Sequence, residues 1–217
     1  MKFYVKDAVL AYAQSLFEAK AGKPTPDNPN PKPKYQGTFI VTPKTLAFAG
    51  DANPEGAVGL SKGYKFGDFK TALQTAILSV AQEKLGPQWQ QILAQLKAQN
   101  RLILHDGAEK ALKPGYAGNH YFNASSDIRP VLQMKNRAAI AAADGILYPG
   151  CLVDGAFDVW AFAQRQSVNI TLLAVTFAGD GVRLAGGATA SEDDYAAIPE
   201  AAQQKAVATG QGAASLF

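Results

Sequence analysis

The sequence predicts an α+β protein, mainly β, organised around a small antiparallel β-barrel with a helical insertion. Short segments rich in aromatic and β-branched residues, bounded by turn residues, occur in both the first and the last thirds of the chain. Strong helical periodicity occurs once, between about residues 68 and 100. Twenty glycines and twelve prolines among 217 residues provide the many turns that short strands require.

The N-terminal part predicts two strands separated by a loop. Residues 1–19 form the opening strand, with apolar side chains available for packing. Five prolines between Ala21 and Lys34 exclude both a ladder and a helix, so we expect a solvated loop there. Tyr35–Val41 is rich in aromatic and β-branched residues and predicts the second strand. Residues 44–67 contain five glycines and predict a long loop or a small excursion of the chain.

The helical insertion, at about residues 68–100, predicts two consecutive helices. Asp68 can cap a first helix that ends at Leu85, and Gly86 suits a left-handed C-cap. Pro87 suits the first turn of a second helix that ends near Asn100. The expected buried face of the first helix is Phe69, Leu73, Ala76, Ile77 and Val80, and that of the second is Trp89, Ile92, Leu93 and Leu96.

After Arg101 the pattern predicts short strands. The candidates are Leu102–Leu104, His120–Ala124, Ile146–Phe162 and Val168–Phe177. Gly155 is expected to let the third of these bend, as closure of a barrel requires. A hairpin turn at Gly179-Asp180-Gly181 is expected to lead into Val182–Leu184.

Alternation along these strands predicts which aromatic rings point to the core. Tyr121 and Phe122 lie on opposite faces, so only one of them is expected to face inward. Trp160 and Phe162 share the face opposite Phe157 and Val159.

The composition limits the protein class and the compartment. No apolar run approaches the ~20 residues that a membrane-spanning helix requires. The N-terminus lacks the apolar stretch of a signal peptide, so we expect a cytoplasmic protein with no membrane association. One cysteine and two histidines cannot supply a zinc site, and Cys151 is expected to be a buried, inert thiol. We therefore expect no metal site.

The net charge of +3 is unevenly distributed. The residues that precede Gly186 carry 20 bases and 14 acids, a net charge of +6, whereas residues 186–217 carry a net charge of −3. We therefore predict a basic domain over residues 1–185 and an acidic, flexible C-terminal tail over residues 186–217. The tail includes Glu192, Asp193, Asp194 and Glu200 and ends at Phe217.

Signatures of enzymes are weak. The segment Gly56–Gly63 lacks the Gly-Lys-Ser/Thr ending of a phosphate-binding loop and does not follow an apolar strand. The sequence contains no strand-flanked Gly-x-Ser-x-Gly and no His-Glu-x-x-His motif. We therefore expect a protein without catalytic activity. A small hydrolase with an unrecognised site is an alternative.

Basic and aromatic residues alternate in two stretches, Ser61–Lys70 and Lys110–Arg137. Single-stranded nucleic acid is bound by this combination, because cations follow the phosphates while aromatic faces stack on bases of any identity. The pattern therefore indicates a nucleic-acid-binding surface, although each aromatic residue taken singly is more often part of a core.

Six short blocks of sequence carry a resemblance to a known family. The blocks are Ala11–Lys20, Lys34-Tyr35 with Thr38–Val41, Asp106-Gly107 before Tyr116, Gly118–Ser126 followed by Arg129-Pro130, Tyr148–Val153, and Gly181–Gly187. Together they resemble a family of phage single-stranded DNA-binding proteins, in that family's order and over most of the chain. The resemblance implies an OB-like antiparallel β-barrel that coats single-stranded DNA during phage DNA replication or recombination, in the cytoplasm of an infected bacterial host. It also implies that the protein needs no cofactor and has no catalytic activity.

The expected binding surface is a barrel groove that bases and phosphates both enter. We predict base stacking by Tyr116, Tyr121 and Trp160. The predicted phosphate contacts are Lys110, Lys113, Arg129, Lys135 and Arg137. Asn123 and the pair Ser125-Ser126 either hydrogen-bond DNA or fix a turn at the end of a strand.

The tail is expected to compete with DNA for the basic groove and, once displaced, to bind replication or recombination proteins, with Phe217 at its end. The main alternative to DNA binding is a phage structural or assembly protein that uses a similar barrel for contacts with other proteins.

Overall fold

The structure is a computed structural model that describes residues 1–24, 29–50 and 65–184. Within these ranges the chain is a mixed α+β protein, mainly β. The strands are β1 (Lys2–Leu10), β2 (Tyr35–Val41), β3 (Leu46–Ala49), β4 (Gly67–Asp68), β5 (Leu104–Asp106), β6 (His120–Ser126), β7 (Val131–Gln133), β8 (Leu152–Phe162) and β9 (Ser167–Gly179). The α-helices are α1 (Gln14–Phe17), α2 (Phe69–Lys84) and α3 (Trp89–Ala98).

The strands belong to one sheet whose pairings follow a path that returns to its start. β1 pairs with β2, β2 with β6, β6 with β9, β9 with β8, and β8 again with β1. The pairing of β6 with β9 is parallel, as is that of β7 with β9, so the prediction of a purely antiparallel sheet is wrong. β6 and β9 can run parallel because β7 and β8 intervene between them in the chain, whereas a short hairpin would force an antiparallel pair.

A cluster of phenylalanines fills the core. The Phe122 ring lies 5.2 Å from the rings of both Phe39 and Phe157, measured between centroids. Helix α2 covers this cluster through Phe69, whose ring lies 5.6 Å from those of Phe3 and Phe122. Offset and edge-to-face contacts of this kind add to the stability that burial of the rings provides.

The predicted helices are confirmed in position, but the second begins at Trp89 with Gln88 as its N-cap, so Pro87 precedes the first turn rather than lying in it. The Asp68 carboxylate accepts a hydrogen bond from the backbone N–H of Thr71 (2.8 Å), which lowers the pKa of Asp68. Gly86 follows the helix with φ 74°, the left-handed conformation that glycine adopts without strain. The predicted face of α2 is buried, and Ile92 and Leu96 are the buried residues of α3.

Several strand predictions need correction. The predicted loop at residues 44–67 contains β3 and the first residue of β4, and the strand predicted at Leu102–Leu104 spans Leu104–Asp106 instead. The opening strand ends at Leu10, and α1 follows it. Residues 146–151 precede β8 rather than belonging to it. The hairpin at residues 179–181 is absent from the described part of the chain; instead the backbone N–H of Leu184 donates to the Pro149 carbonyl (3.0 Å).

Gly155 makes room for a neighbouring ring. A Cβ atom at this position would lie 2.5 Å from the Phe157 ring, so an alanine would displace a core aromatic. The register shift in the β8–β9 pairing comes just after it, between Ala156 and Phe157. Because bulges bend the strand that carries them, the bend expected at Gly155 is supported by this register shift rather than by the glycine alone.

Cys151 is fully buried, as predicted, and burial raises the pKa of its thiol. No helix in the described ranges is long and apolar enough to cross a membrane. The acidic residues Glu192, Asp193 and Asp194, together with Phe217, lie outside the described residues, as do Lys62 and Tyr64. The division of the chain at residue 185 thus stays a prediction.

Candidate nucleic-acid interface

A groove of about 640 Å³ crosses one face of the sheet. It is formed by the end of β6 and the residues after it, the end of β8, the first half of β9, and residues between Arg101 and His105. Strand pairing explains why these side chains meet. Trp160 lies opposite Asn169, Phe162 lies opposite Ser167, and directly paired residues share one face of a sheet.

Two aromatic rings are exposed in this groove. Trp160 is 40% exposed and Phe162 is 38% exposed, whereas Phe157 and Val159 on the opposite face are fully buried. The alternation predicted for these four residues is therefore confirmed. The indole N–H of Trp160 donates to Oγ1 of Thr171 (2.9 Å), which holds the ring in place while leaving part of its surface open.

Neighbouring side chains fix the polar groups of the groove. The Thr38 hydroxyl donates to Oδ1 of Asn123 (2.7 Å), so the amide nitrogen of Asn123 remains available as a donor. The Asn169 amide nitrogen donates to the Ser167 hydroxyl (3.0 Å), which leaves the Asn169 carbonyl oxygen as an acceptor. The groove therefore offers both donors and acceptors in set orientations.

The two roles predicted for the serines after Asn123 separate in the structure. Ser126 is buried, and its hydroxyl accepts a hydrogen bond from the backbone N–H of Ile128 (3.2 Å), so it fixes the turn after β6. Ser125 is half-buried and lines the groove beside Asn123. Arg129 is exposed one residue beyond Ile128, which also lines the groove.

Three cationic side chains at the groove were not predicted from the sequence. They are Lys34, which forms an ion pair with Asp127 (3.2 Å), Arg101 and Arg165. They come from three separate segments, and only the folded chain brings them together. Phe162 was also missed as a binding residue, although its position two residues after Trp160 on the same face was a usable signal.

The structure contradicts the stacking roles predicted for Tyr116 and Tyr121. These residues are 2% and 4% exposed, because the segment that follows β5 folds over this end of β6 and brings Tyr116 against Tyr121. Phe122 packs in the main core and Tyr121 lies on the opposite face of β6, so the predicted alternation is confirmed, but the outer face is covered here and Tyr121 is buried as well. Burial raises the pKa of both tyrosines.

Lys110 and Lys113 lie beside these tyrosines and outside the groove. The Lys110 ammonium is 3.8 Å from the centroid of the Tyr121 ring. Burial, followed by the nearby charge of Lys113, lowers the pKa of Lys110. The Lys113 ammonium donates to the hydroxyl of Tyr12 (3.2 Å), an exposed tyrosine that sequence reasoning missed.

Lys135 and Arg137 are exposed on a turn after β7 and do not line the groove. The backbone N–H of Arg137 donates to the Met134 carbonyl (2.9 Å), and Arg137 has φ 69°. Of the predicted site residues, the groove therefore includes Trp160, Asn123, Ser125 and Ser126, while the predicted lysines lie elsewhere. No group of three or more potential metal ligands occurs in the described ranges.

Comparison with known proteins gives a family match and similar folds. The family profile described as "Enterobacter phage Enc34, ssDNA-binding protein" matches residues 65–207, more than half of the chain. Protein p50 of Acyrthosiphon pisum secondary endosymbiont phage 1 is 32% identical over 111 residues, which are 51% of this chain. The match spans 60% of that relative's length.

Two solved structures match this chain at low sequence identity. The C-terminally truncated single-stranded DNA-binding protein of bacteriophage Enc34 has a TM-score of 0.50 and 16% identity, covering 84% of this chain and 88% of that one. The same protein in complex with single-stranded DNA has a TM-score of 0.48 and 18% identity, covering 85% and 89%.

Proposed function

This chain belongs to the family of the Enterobacter phage Enc34 single-stranded DNA-binding protein, and from that premise we propose that it binds single-stranded DNA in the groove beside Trp160. The protein coats unwound DNA without strong sequence preference during phage DNA replication or recombination. It does so in the cytoplasm of the infected bacterial host, without catalysis and without a cofactor.

The strand path from β1 through β2, β6, β9 and β8 back to β1 is an OB-like barrel in this proposal, and α2 and α3 are its helical insertion. The return of the path to β1 and the fold similarity to the truncated Enc34 protein support this interpretation. OB-folds bind oligonucleotides on the face of their central strands. The groove lies on β6, β8 and β9, which belong to that path.

One observation carries the proposal: two exposed aromatic rings, oriented amides and three cations share one groove. The rings of Trp160 and Phe162 are 6.4 Å apart and inclined at 64°, so they present different surfaces to bases entering the groove. Arg101 and Arg165 are able to follow the phosphates. Since phosphates and base faces are common to all sequences, these contacts do not depend on sequence.

The same chemistry selects single strands over duplexes. Stacking on Trp160 requires a base whose face is free, and the bases of a duplex are stacked on one another. The tail predicted over residues 186–217 is proposed to bind replication or recombination proteins, with Phe217 as an apolar contact.

The test is the affinity for a single-stranded oligonucleotide and for the matched duplex over a series of salt concentrations. The slope of the logarithm of the binding constant against the logarithm of the salt concentration is roughly −0.7 for each phosphate neutralised on a single strand. Contacts from Lys34, Arg101 and Arg165 alone therefore predict a slope of about −2, and addition of Lys110 and Lys113 predicts about −3.5. A response independent of salt, or tighter binding of the duplex, would contradict the proposal.

A further inference from the structure

Two lysine ammonium groups converge on a surface of tyrosines outside the groove. The Lys110 ammonium lies 3.8 Å from the ring centroid of Tyr121 and 5.4 Å from that of Tyr116. The Lys113 ammonium lies 5.8 Å from the ring centroid of Tyr12 and contacts its hydroxyl. The two cations are close enough for the charge of Lys113 to disfavour the charged form of Lys110.

The charge of Glu109 offsets that of this pair only in part. Glu109 accepts hydrogen bonds from the Asn100 amide (2.6 Å) and from the Tyr121 hydroxyl (3.1 Å). In the described ranges, neither Lys110 nor Lys113 has a carboxylate oxygen within 4 Å. The two ammonium groups therefore repel each other, and a bound phosphate would replace that repulsion with attraction.

Tyr12 adds an aromatic surface to these cations. Its side chain is 46% exposed, in contrast to the buried Tyr116 and Tyr121. An exposed ring beside unpaired ammonium groups is the combination that binds a nucleotide of a single strand: the ring stacks on the base and the cations contact the phosphate. Lys113 in turn positions the Tyr12 ring through its contact with the hydroxyl.

This surface is joined to the groove along two lines of contact. The His105 ring, which lines the groove, stacks on the Tyr121 ring at 5.1 Å and 24°. On the other line, the backbone N–H of Ala11 donates to the Thr38 carbonyl (2.9 Å), and the Thr38 hydroxyl donates to Asn123 in the groove. Tyr12 therefore follows directly, in the chain, a residue that is hydrogen-bonded to Thr38 at the edge of the groove.

We propose that Tyr12, Lys110 and Lys113 form a second nucleotide-binding subsite, which holds the part of a DNA strand that extends beyond the groove. This inference rests on the proposed function, since it concerns the same ligand. The residues of this subsite are separate from those of the groove, and they determine how many nucleotides one molecule covers.

The test compares oligo(dT) of roughly five nucleotides with oligo(dT) of roughly fifteen, a range that single OB-folds cover. The variants are Tyr12→Ala and Lys113→Gln, since both side chains are exposed, with Lys84→Gln on α2 as the matched control for charge. For the long oligonucleotide we expect Tyr12→Ala to weaken binding by about fivefold to 100-fold. Lys113→Gln should reduce the salt slope by about 0.7 for that oligonucleotide only. For the short oligonucleotide, both variants should bind as the unmodified protein does.

The subsite would be overturned if the two variants lost as much affinity for the short oligonucleotide as for the long one, or if they lost none for the long one. A second measurement does not depend on variants: acetylation of Lys113 in the unmodified protein should be blocked by the long oligonucleotide and not by the short one, and equal labelling in both cases would also overturn it. Failure of the proposed function gives a different result, because the unmodified protein would then bind neither oligonucleotide, or Trp160→Ala would leave the affinity for both unchanged.

Discussion

Tyr121 shows why a residue in a basic and aromatic stretch can belong to the core. Its ring contacts Tyr116, His105 and the Lys110 ammonium, and its hydroxyl donates to Glu109. The Tyr121 side chain is therefore in contact with other residues of the protein on nearly all sides, and no face of its ring is free for a base. Tyr116 differs in one respect: its buried hydroxyl lies beside Tyr12 but has no hydrogen-bond partner of standard geometry in the described part of the chain.

This difference predicts opposite effects of removing the two hydroxyl groups. Tyr121→Phe removes a hydrogen bond to a carboxylate and should lower the free energy of unfolding by about 1 to 2 kcal/mol. Tyr116→Phe removes a hydroxyl without a partner and should leave stability unchanged or raise it. Urea denaturation measures both variants. A larger loss in Tyr116→Phe than in Tyr121→Phe would show that this assignment of hydrogen bonds is wrong.

At the scale of elements, an irregularity in β1 depends on side chains from two other parts of the sheet. The register of β1 on β8 shifts between Val5 and Ala8, and Asp7 has φ 56° there. The Asp154 carboxylate accepts a hydrogen bond from the Asp7 backbone N–H (3.0 Å), and the Thr45 hydroxyl donates to the Asp7 carbonyl (3.1 Å). These contacts satisfy backbone groups that the bulge removes from the ladder.

The burial of Asp154 predicts how stability changes with pH. Burial raises the pKa of Asp154. The hydrogen bond from the Asp7 backbone N–H and the charges of Lys135 and Lys6 lower it, but they offset the effect of burial only in part. A carboxyl group whose pKa is higher in the folded state binds more protons there, so stability falls as the pH rises from about 3.9, the value in an unfolded chain, through the raised value. Asp154→Asn keeps an oxygen acceptor and should remove this dependence.

The measurement is the free energy of unfolding by urea from pH 4 to pH 8. Thr45→Val is the control, because the hydroxyl that it removes makes two neutral hydrogen bonds, donating to the Asp7 carbonyl and accepting from the Thr42 N–H; stability should fall by about 1 to 2 kcal/mol at every pH. Retention of the full pH slope in Asp154→Asn would contradict the role given to this carboxyl group.

At the scale of the whole molecule, local patterns were readable from the sequence and long-range placement was not. The bounds of Tyr35–Val41, the cap at Asp68 and the shared face of Trp160 and Phe162 follow from neighbouring residues alone. Alternation also placed Tyr121 on the face of Asn123, but only the fold shows that another segment covers this end of the face. Arg101 and Arg165 meet at the groove through tertiary folding, which no local pattern encodes.

The two tryptophans allow the most direct test of the central claim, that single-stranded DNA binds against Trp160. Trp89 lies at the start of α3, so a Trp89→Phe variant retains Trp160 as the only indole. Titration of this variant with a single-stranded oligonucleotide should quench its fluorescence to saturation, and the quenching should weaken as salt rises, because stacked bases contact the ring and cations hold the phosphates. The reciprocal variant Trp160→Phe should show little change in the emission of Trp89. Binding of the oligonucleotide without a change in Trp160 emission would contradict the account.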